Sequence, residues 1–320
     1  MKIIQNTKRK IRVEIEKISN RPFYIMNYYG NYCYDDYLLE GANNLEEFCT
    51  FIDERLLNKS EKKINRENMG CGAFVAQNTQ GDIIFARNMD CECAIPMMIR
   101  LSDDNNYKSL AFVSMSDLDW DENTYDTLET DAKLTLAAPY SPSDGINEHG
   151  LAVAILTNSS AVYPNNSNNR TLFDMTITRL LLNKAKTVIE AIEYMKNYNL
   201  FYVVAPLQYM IADSTGDAAV IEFVDGRMVT IKKNSKYQVV TNFTLYDNPT
   251  KDGFGKDRYE NISNELVKCQ GIITEHDALE LLKKNVIPGD EQWSAVYNLT
   301  KRRVSVTFSG DYEHVYEYEL

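Results

Sequence analysis

The chain has 320 residues, 44% hydrophobic and 25% charged, the balance of an ordinary soluble protein. A chain of this size buries a core unaided, which excludes collagen-like, low-complexity and wholly disordered readings. Its 34 basic and 46 acidic residues leave a net charge of −12, and no basic cluster is long enough to offer a nucleic-acid face.

No stretch has the 18 or more apolar residues of a spanning helix, and Lys2, Lys8, Arg9, Lys10 and Arg12 break any signal-peptide core. The expectation is a cytoplasmic protein with no membrane span. Six cysteines, at 33, 49, 71, 91, 93 and 269, make no disulfide framework. Cys91 and Cys93 are one residue too close for the common zinc knuckle, so no metal and no cofactor is expected.

Residues 1–20 alternate weakly through Ile11, Val13 and Ile15 and read as a strand; residues 21–41, rich in Tyr, Asn and Gly, read as irregular. Leu45 to Leu57 is apolar at helical spacing. Asn58 to Met69 is a polar linker. The apolar run Cys71 to Gln77, the turn Asn78-Thr79-Gln80-Gly81 and the run Asp82 to Arg87 make a hairpin. A turn centred between Thr79 and Gln80 sets Cys71 opposite Arg87 or Asn88 and brings Asp90 near, though register can slip by a residue.

Further along, Gly145 to Gly150 is a turn and Leu151 to Leu156 a buried strand. Thr171 to Tyr198 has the pattern of one long helix. Tyr209–Asp213 and Ala218–Val224 flank a turn, and Asp213 there reads as a turn cap. Gln238 to Phe243 is a strand, Arg258 to Val267 and His276 to Lys284 are helical, and three strands close the chain at 293–298, 303–308 and 313–318. Many hairpins with few long helices imply antiparallel sheets covered by helices.

Cysteine needs little help to act as a nucleophile. Cys71 opens a strand between two glycines, with Arg87 close by to favour its thiolate. A small buried core residue is the competing reading. A papain-like pair would need one of only three histidines, His149, His276 or His314, and none sits in a supportive context. An α-amino group is another base, with a pKa near 7.7–8.0. Cys71 gains one only if the Gly70–Cys71 bond is cut, and Gly70 permits the strained backbone such an attack needs.

Cys71 is followed by Arg87 at 16 positions and Asp90 at 19 (87 − 71 and 90 − 71), within Gly70-Cys71-Gly72-Ala73-Phe74 and Phe85-Ala86-Arg87-Asn88-Met89-Asp90. Asn147-Glu148-His149-Gly150-Leu151, Thr241-Asn242, Arg258-Tyr259 and the run from Trp293 to Asn298 follow in order. This series resembles the choloylglycine hydrolase superfamily of linear amide C–N hydrolases. The resemblance implies an α+β fold, the four-layer αββα sandwich of N-terminal-nucleophile hydrolases with antiparallel sheets. It implies a prosegment, 1–70, removed or kept as a small subunit after self-cleavage, and a hydrolase domain, 71–320. Cys71 would be the nucleophile and its freed amine the base. Asp90 would hold that amine, Arg87 would order the thiolate, Asn242 would donate to the oxyanion and Arg258 would complete the network. The substrate would be a small N-acyl amide.

Two departures stand out. Thr157 falls where several relatives place Asn or Tyr, so the second oxyanion donor is open between Thr157 and Asn158. The 70 residues ahead of Cys71 favour the acyltransferase and acid ceramidase branch over bile salt hydrolases. A non-catalytic or prosegment-locked binding protein of the same fold is the alternative, with a Cys–His peptidase behind it. Oligomeric state does not follow, and a homo-oligomer stays open.

Overall fold

The computed structural model describes residues 1–6, 10–18, 23–57, 69–91, 95–118, 132–287 and 291–320. The start of the chain holds three strands, not one: β1 (Lys2–Asn6), β2 (Ile11–Lys17) and β3 (Tyr24–Tyr29). Residues 21–41, read as irregular, contain β3 and helix α1 (Tyr34–Glu40). The periodicity is hidden because tyrosines do the work of aliphatic residues. Tyr24, Tyr28, Tyr32, Tyr34 and Tyr37 are all buried. Their hydroxyls find partners: that of Tyr28 donates to Leu136 O at 3.1 Å, and that of Tyr34 to Thr176 O at 2.6 Å. The expected helix at 45–57 forms as α2 (Leu45–Ile52), capped by Asn44 accepting from Glu47 N at 3.0 Å, and ends in a wider turn, Asp53–Leu57.

The hairpin is β4 (Met69–Gln77) and β5 (Ile83–Cys91). Its register puts Cys71 opposite Met89, a residue beyond the expected limit, and Ala73 opposite Arg87. The turn is one residue longer than the sequence reading allowed. Asn78 Oδ1 gathers Gln80 N at 3.0 Å and Asp82 N at 2.8 Å, and Gly81 takes the left-handed φ of +89° that closes the loop.

Then follow β6 (Pro96–Ser102), β7 (Ser109–Ser114), β8 (Asp144–Asn147) and β9 (Ala152–Thr157). The segment 171–198 is not one helix. It splits into β10 (Arg170–Phe173), a single turn, α3 (Ile177–Lys184), α4 (Val188–Met195) and β11 (Tyr198–Phe201). Thr187 causes the break between the helices: its hydroxyl accepts from Glu190 N at 3.2 Å, capping α4, while Ala185 is extended. The hairpin β12 (Leu207–Ala212) and β13 (Ala218–Val224) matches expectation, and β14 (Arg227–Lys232) extends it. β15 (Gln238–Val240) stops before Asn242, earlier than expected. Helices α5 (Lys256–Lys268) and α6 (Glu275–Lys283) and strands β16 (Glu291–Asn298), β17 (Arg303–Phe308) and β18 (Tyr316–Glu319) complete the chain.

One sheet runs β1-β2-β3-β6-β7-β8-β9-β12-β13-β14 and the other β15-β4-β5-β16-β17-β18. Pairing within them is antiparallel except that β3 lies parallel to β6, a departure from the expected antiparallel sheets. The chain leaves the first sheet after β3, builds the β4–β5 hairpin in the second, and returns as β6. Alternation along β4 and β5 divides the small sheet. Phe74, Ala76, Ile84 and Ala86 pack on Ile262 and Leu266 of α5 and Ala278 and Leu282 of α6, while Ala73, Val75 and Phe85 join the core shared with the large sheet. Helices α3 and α4 lie against β8, β9 and β12. The order is therefore helices, sheet, sheet, helices: a four-layer αββα sandwich. Among the described residues, no helix is long and apolar enough to cross a membrane.

Candidate active site

Strand alternation decides which groups meet. Cys71, Arg87 and Met89 share the inner face of the small sheet, and the Cys71 side chain is fully buried. Its sulfur lies 3.9 Å from Met89 Sδ and 3.7 Å from an Arg87 guanidinium nitrogen, which also donates to Ile155 O at 3.0 Å. Asp90 pairs across the strands with Gly70, one step out of phase, and so belongs to the outer face. There its neighbour Asn88 donates to Leu282 O of α6 at 2.9 Å.

Arg87 is not a bare cation. Its other terminal nitrogen meets Asp144 Oδ2 at 2.6 Å, with both side chains fully buried. Trp293 Nε1 donates to the same oxygen at 2.9 Å, and the Tyr297 hydroxyl donates to the other. Burial pushes the Asp144 carboxyl up, against the pull of Arg87 and of these donors. A thiolate at Cys71 would thus face a guanidinium whose charge is already balanced. Sequence reasoning missed Asp144. The available signal was a carboxylate three residues ahead of the Asn147 motif.

The backbone of Cys71 is gripped from the other side. Asn242 Oδ1 accepts from Cys71 N at 2.7 Å and from Arg258 at 3.0 Å. Asn242 Nδ2 donates to Thr157 O at 3.0 Å and to Thr157 Oγ1 at 2.9 Å. Two donors on one side and two acceptors on the other fix the amide's orientation. The second terminal nitrogen of Arg258 donates to Cys71 O at 2.5 Å. Of the two candidate second donors, Thr157 touches Asn242. Asn158 is a loop organiser, donating to Gln208 Oε1 and Thr244 Oγ1, each at 3.0 Å.

Gly70 differs from expectation. Its backbone is not in the left-handed region, and its need for glycine is a matter of space: a Cβ there would sit 2.0 Å from Ile287 Cδ1. Asp213 acts as the turn cap expected, accepting from Thr215 N at 3.0 Å and Val188 N at 2.9 Å. His149 meets Tyr107 edge-on at 4.4 Å between ring centroids, and His276 and His314 are at the surface. Of the Cys91–Cys93 pair, Cys93 lies outside the described residues.

The segment from Thr241 to Tyr246 has no regular structure, so side chains of the large sheet hold it. Gln208 Nε2 donates to Thr241 O at 2.5 Å. Buried Glu222 accepts from Leu245 N at 2.6 Å and Tyr246 N at 2.9 Å. Neither residue was legible as a support, because the segment they hold lies far away in sequence. Beside this segment a cleft of about 580 Å³ opens, lined by Thr157, Asn158, Ser160, Asn242, Thr244 and Phe254 among others.

The profile of the linear amide C–N hydrolases, choloylglycine hydrolase family, matches residues 71–278, which begins at the buried cysteine. The chain belongs to this family. A penicillin V acylase from Pectobacterium atrosepticum is 30% identical over 119 residues, 33% of this chain and 31% of the relative. The chain thus matches about a third of that relative's length. Among solved structures, penicillin V acylase from Agrobacterium tumefaciens is similar in fold (TM-score 0.56, 19% identity, 78% of this chain and 86% of that one). So is a variant of conjugated bile acid hydrolase from Clostridium perfringens (TM-score 0.54, 16% identity, 78% and 92%). Both share with this member of the family the two-sheet sandwich that houses Cys71.

Proposed function

We propose that the protein is a self-processing cysteine amidase that cleaves the linear amide bond of a small N-acyl substrate through a Cys71 thioester, with release to water or to an acceptor amine. The observation that carries this reading is the arrangement at one residue: the Cys71 sulfur 3.7 Å from Arg87, its N–H on Asn242 and its carbonyl on Arg258. In processing, the sulfur attacks the Gly70 carbonyl, the Gly70–Cys71 C–N bond breaks, and water hydrolyses the resulting thioester to leave a Gly70 carboxylate and a Cys71 amine. That amine is the general base: it takes the thiol proton and later gives it to the departing amine. Asp90 would bind it in the space Gly70 leaves on the outer face. Asn242 Nδ2, with Thr157 as the second donor, would stabilise the oxyanion, an effect worth about 10²–10³ in rate per donor. The positions of the three histidines do not favour a cysteine–histidine peptidase.

Residues 1–70 would remain as a small subunit, because β1, β2 and β3 are strands of the large sheet and the apolar side chains of β2 and β3 lie in its core. One observation favours a second reading, a prosegment-locked binding protein: in the uncut chain the thiol is fully buried. Intact-mass measurement of purified protein separates the two. The amidase reading expects a fragment beginning at Cys71, lost in Cys71→Ala together with turnover of N-acyl amides. Folded protein that stays full length would sink it.

A further inference from the structure

We infer that Phe254 is the specificity platform of the cleft, stacking an apolar acyl or aryl group of the substrate directly beside the site; the inference rests on the amidase reading above. The cleft's polar lining is largely committed to itself. Asn158 donates to Gln208 and Thr244, and Ser160 donates to Asn158 at 2.8 Å. Asn248 Nδ2 donates to Thr244 O at 2.8 Å and Asp252 O at 2.9 Å, while Asp252 pairs with Lys256 at 2.5 Å. These bonds shape the walls and leave few polar groups to recognise a ligand. Phe254 is the contrary case: it lines the same cleft, yet its side chain has no place in the core and is 62% exposed.

The backbone on both sides forces that exposure. Gly253 has a φ of +149°, and a Cβ there would lie 2.3 Å from Phe243 Cβ. At Gly255, with φ of +83°, a Cβ would lie 2.4 Å from an Arg258 guanidinium nitrogen. Two glycines therefore let the turn press against Phe243 and Arg258 and set the ring in solvent. The Arg258 guanidinium carbon lies 5.3 Å from the Phe254 ring centroid, within cation–π range. The same guanidinium holds Cys71 O and Asn242 Oδ1. An apolar group laid on the ring would cover its exposed face and lie beside the buried Arg258. The size of that group would then be read next to the reacting carbonyl.

The test compares an N-octanoyl with an N-acetyl amide of the same amine, using wild type, Phe254→Ala and Phe254→Leu. Burial of an apolar face of this size predicts that Phe254→Ala raises KM for the octanoyl amide about tenfold, with kcat within threefold and the acetyl amide unaffected. Phe254→Leu restores most of the loss. An unchanged octanoyl-to-acetyl ratio of kcat/KM in Phe254→Ala overturns the inference. Calorimetric binding of the octanoyl amide to Cys71→Ala protein, with and without Phe254→Ala, reads the platform without turnover. Weaker binding in the double variant supports it and equal binding overturns it. Wild type that binds by way of Phe254 but never cleaves would count against the amidase reading alone.

Discussion

The inner face of the β4–β5 hairpin carries Cys71, Arg87 and Met89. The outer face, one residue out of phase, carries Gly70, Asn88 and Asp90. The inner face is closed and charge-balanced, with Arg87 on Asp144 and both fully buried. The outer face is a packing surface under α6, where even one methyl group at Gly70 would collide with Ile287. Pleating thus separates the proposed nucleophile from the residue proposed to hold its amine. Only the nitrogen of Cys71, in the strand backbone between the two faces, can serve both. Cutting the bond before it is what would let the faces cooperate.

The inner face is the more sensitive of the two. Asp144→Asn leaves Arg87 buried without a counter-charge, which costs about 3–5 kcal/mol. Calorimetry should show a melting temperature roughly 10 °C lower. A melt like that of wild type would mean that the inner face does not depend on this ion pair. Next in size, Asn242→Ala should lower kcat by about 10²–10³ with little change in KM. Kinetics in which KM alone moves would assign Asn242 to ground-state binding.

The outer face should respond to volume rather than charge. Gly70→Ala should destabilise by about 1–3 kcal/mol through overpacking and slow the appearance of the Cys71 fragment. Ile287→Ala in the same chain should restore both. Additive effects in that double variant would place the strain elsewhere. A control at the far end of the hairpin uses pH. The hydrogen bond from Lys301, helped by Asn298 and Asn78 and opposed by burial, holds the Asp82 carboxyl down at about 2, from an ordinary 3.8. A depressed carboxylate stabilises above its ordinary value, so this contribution is full above about pH 4 and is lost as pH falls toward 2. Lys301→Met should lower stability by about 1 kcal/mol or less above about pH 4, pH 7 included, and converge on wild type as pH falls toward 2, which flattens the acid limb of the stability curve.

Much of this was readable from local signals. The hairpin follows from two apolar runs about an Asn–Gly turn, and Cys71, Arg87, Asn242, Thr157 and Arg258 do come together. Asp90 reached the neighbourhood but on the other face, because it stands three residues from Arg87 on the same strand and successive side chains alternate between faces. Tyr24 to Tyr37 looked like loop because a buried tyrosine with a satisfied hydroxyl leaves no aliphatic period. The segment 171–198 looked like one helix because Thr187, the cap that divides it, interrupts neither flank's spacing. Asp144, Gln208 and Glu222 act across sheets, and no pattern within their own strands records a partner so far away.

The parallel contact between β3 and β6 has a further consequence if the chain is cut before Cys71. The two fragments would then share one hydrogen-bonded ladder with no covalent link between them. Their separation would become a dissociation, so the melting point of the matured protein would rise with its concentration whereas that of the uncut chain would not. Matured protein taken fully apart in denaturant would have to find its lost strands again by collision, a search the newly made chain never has to perform.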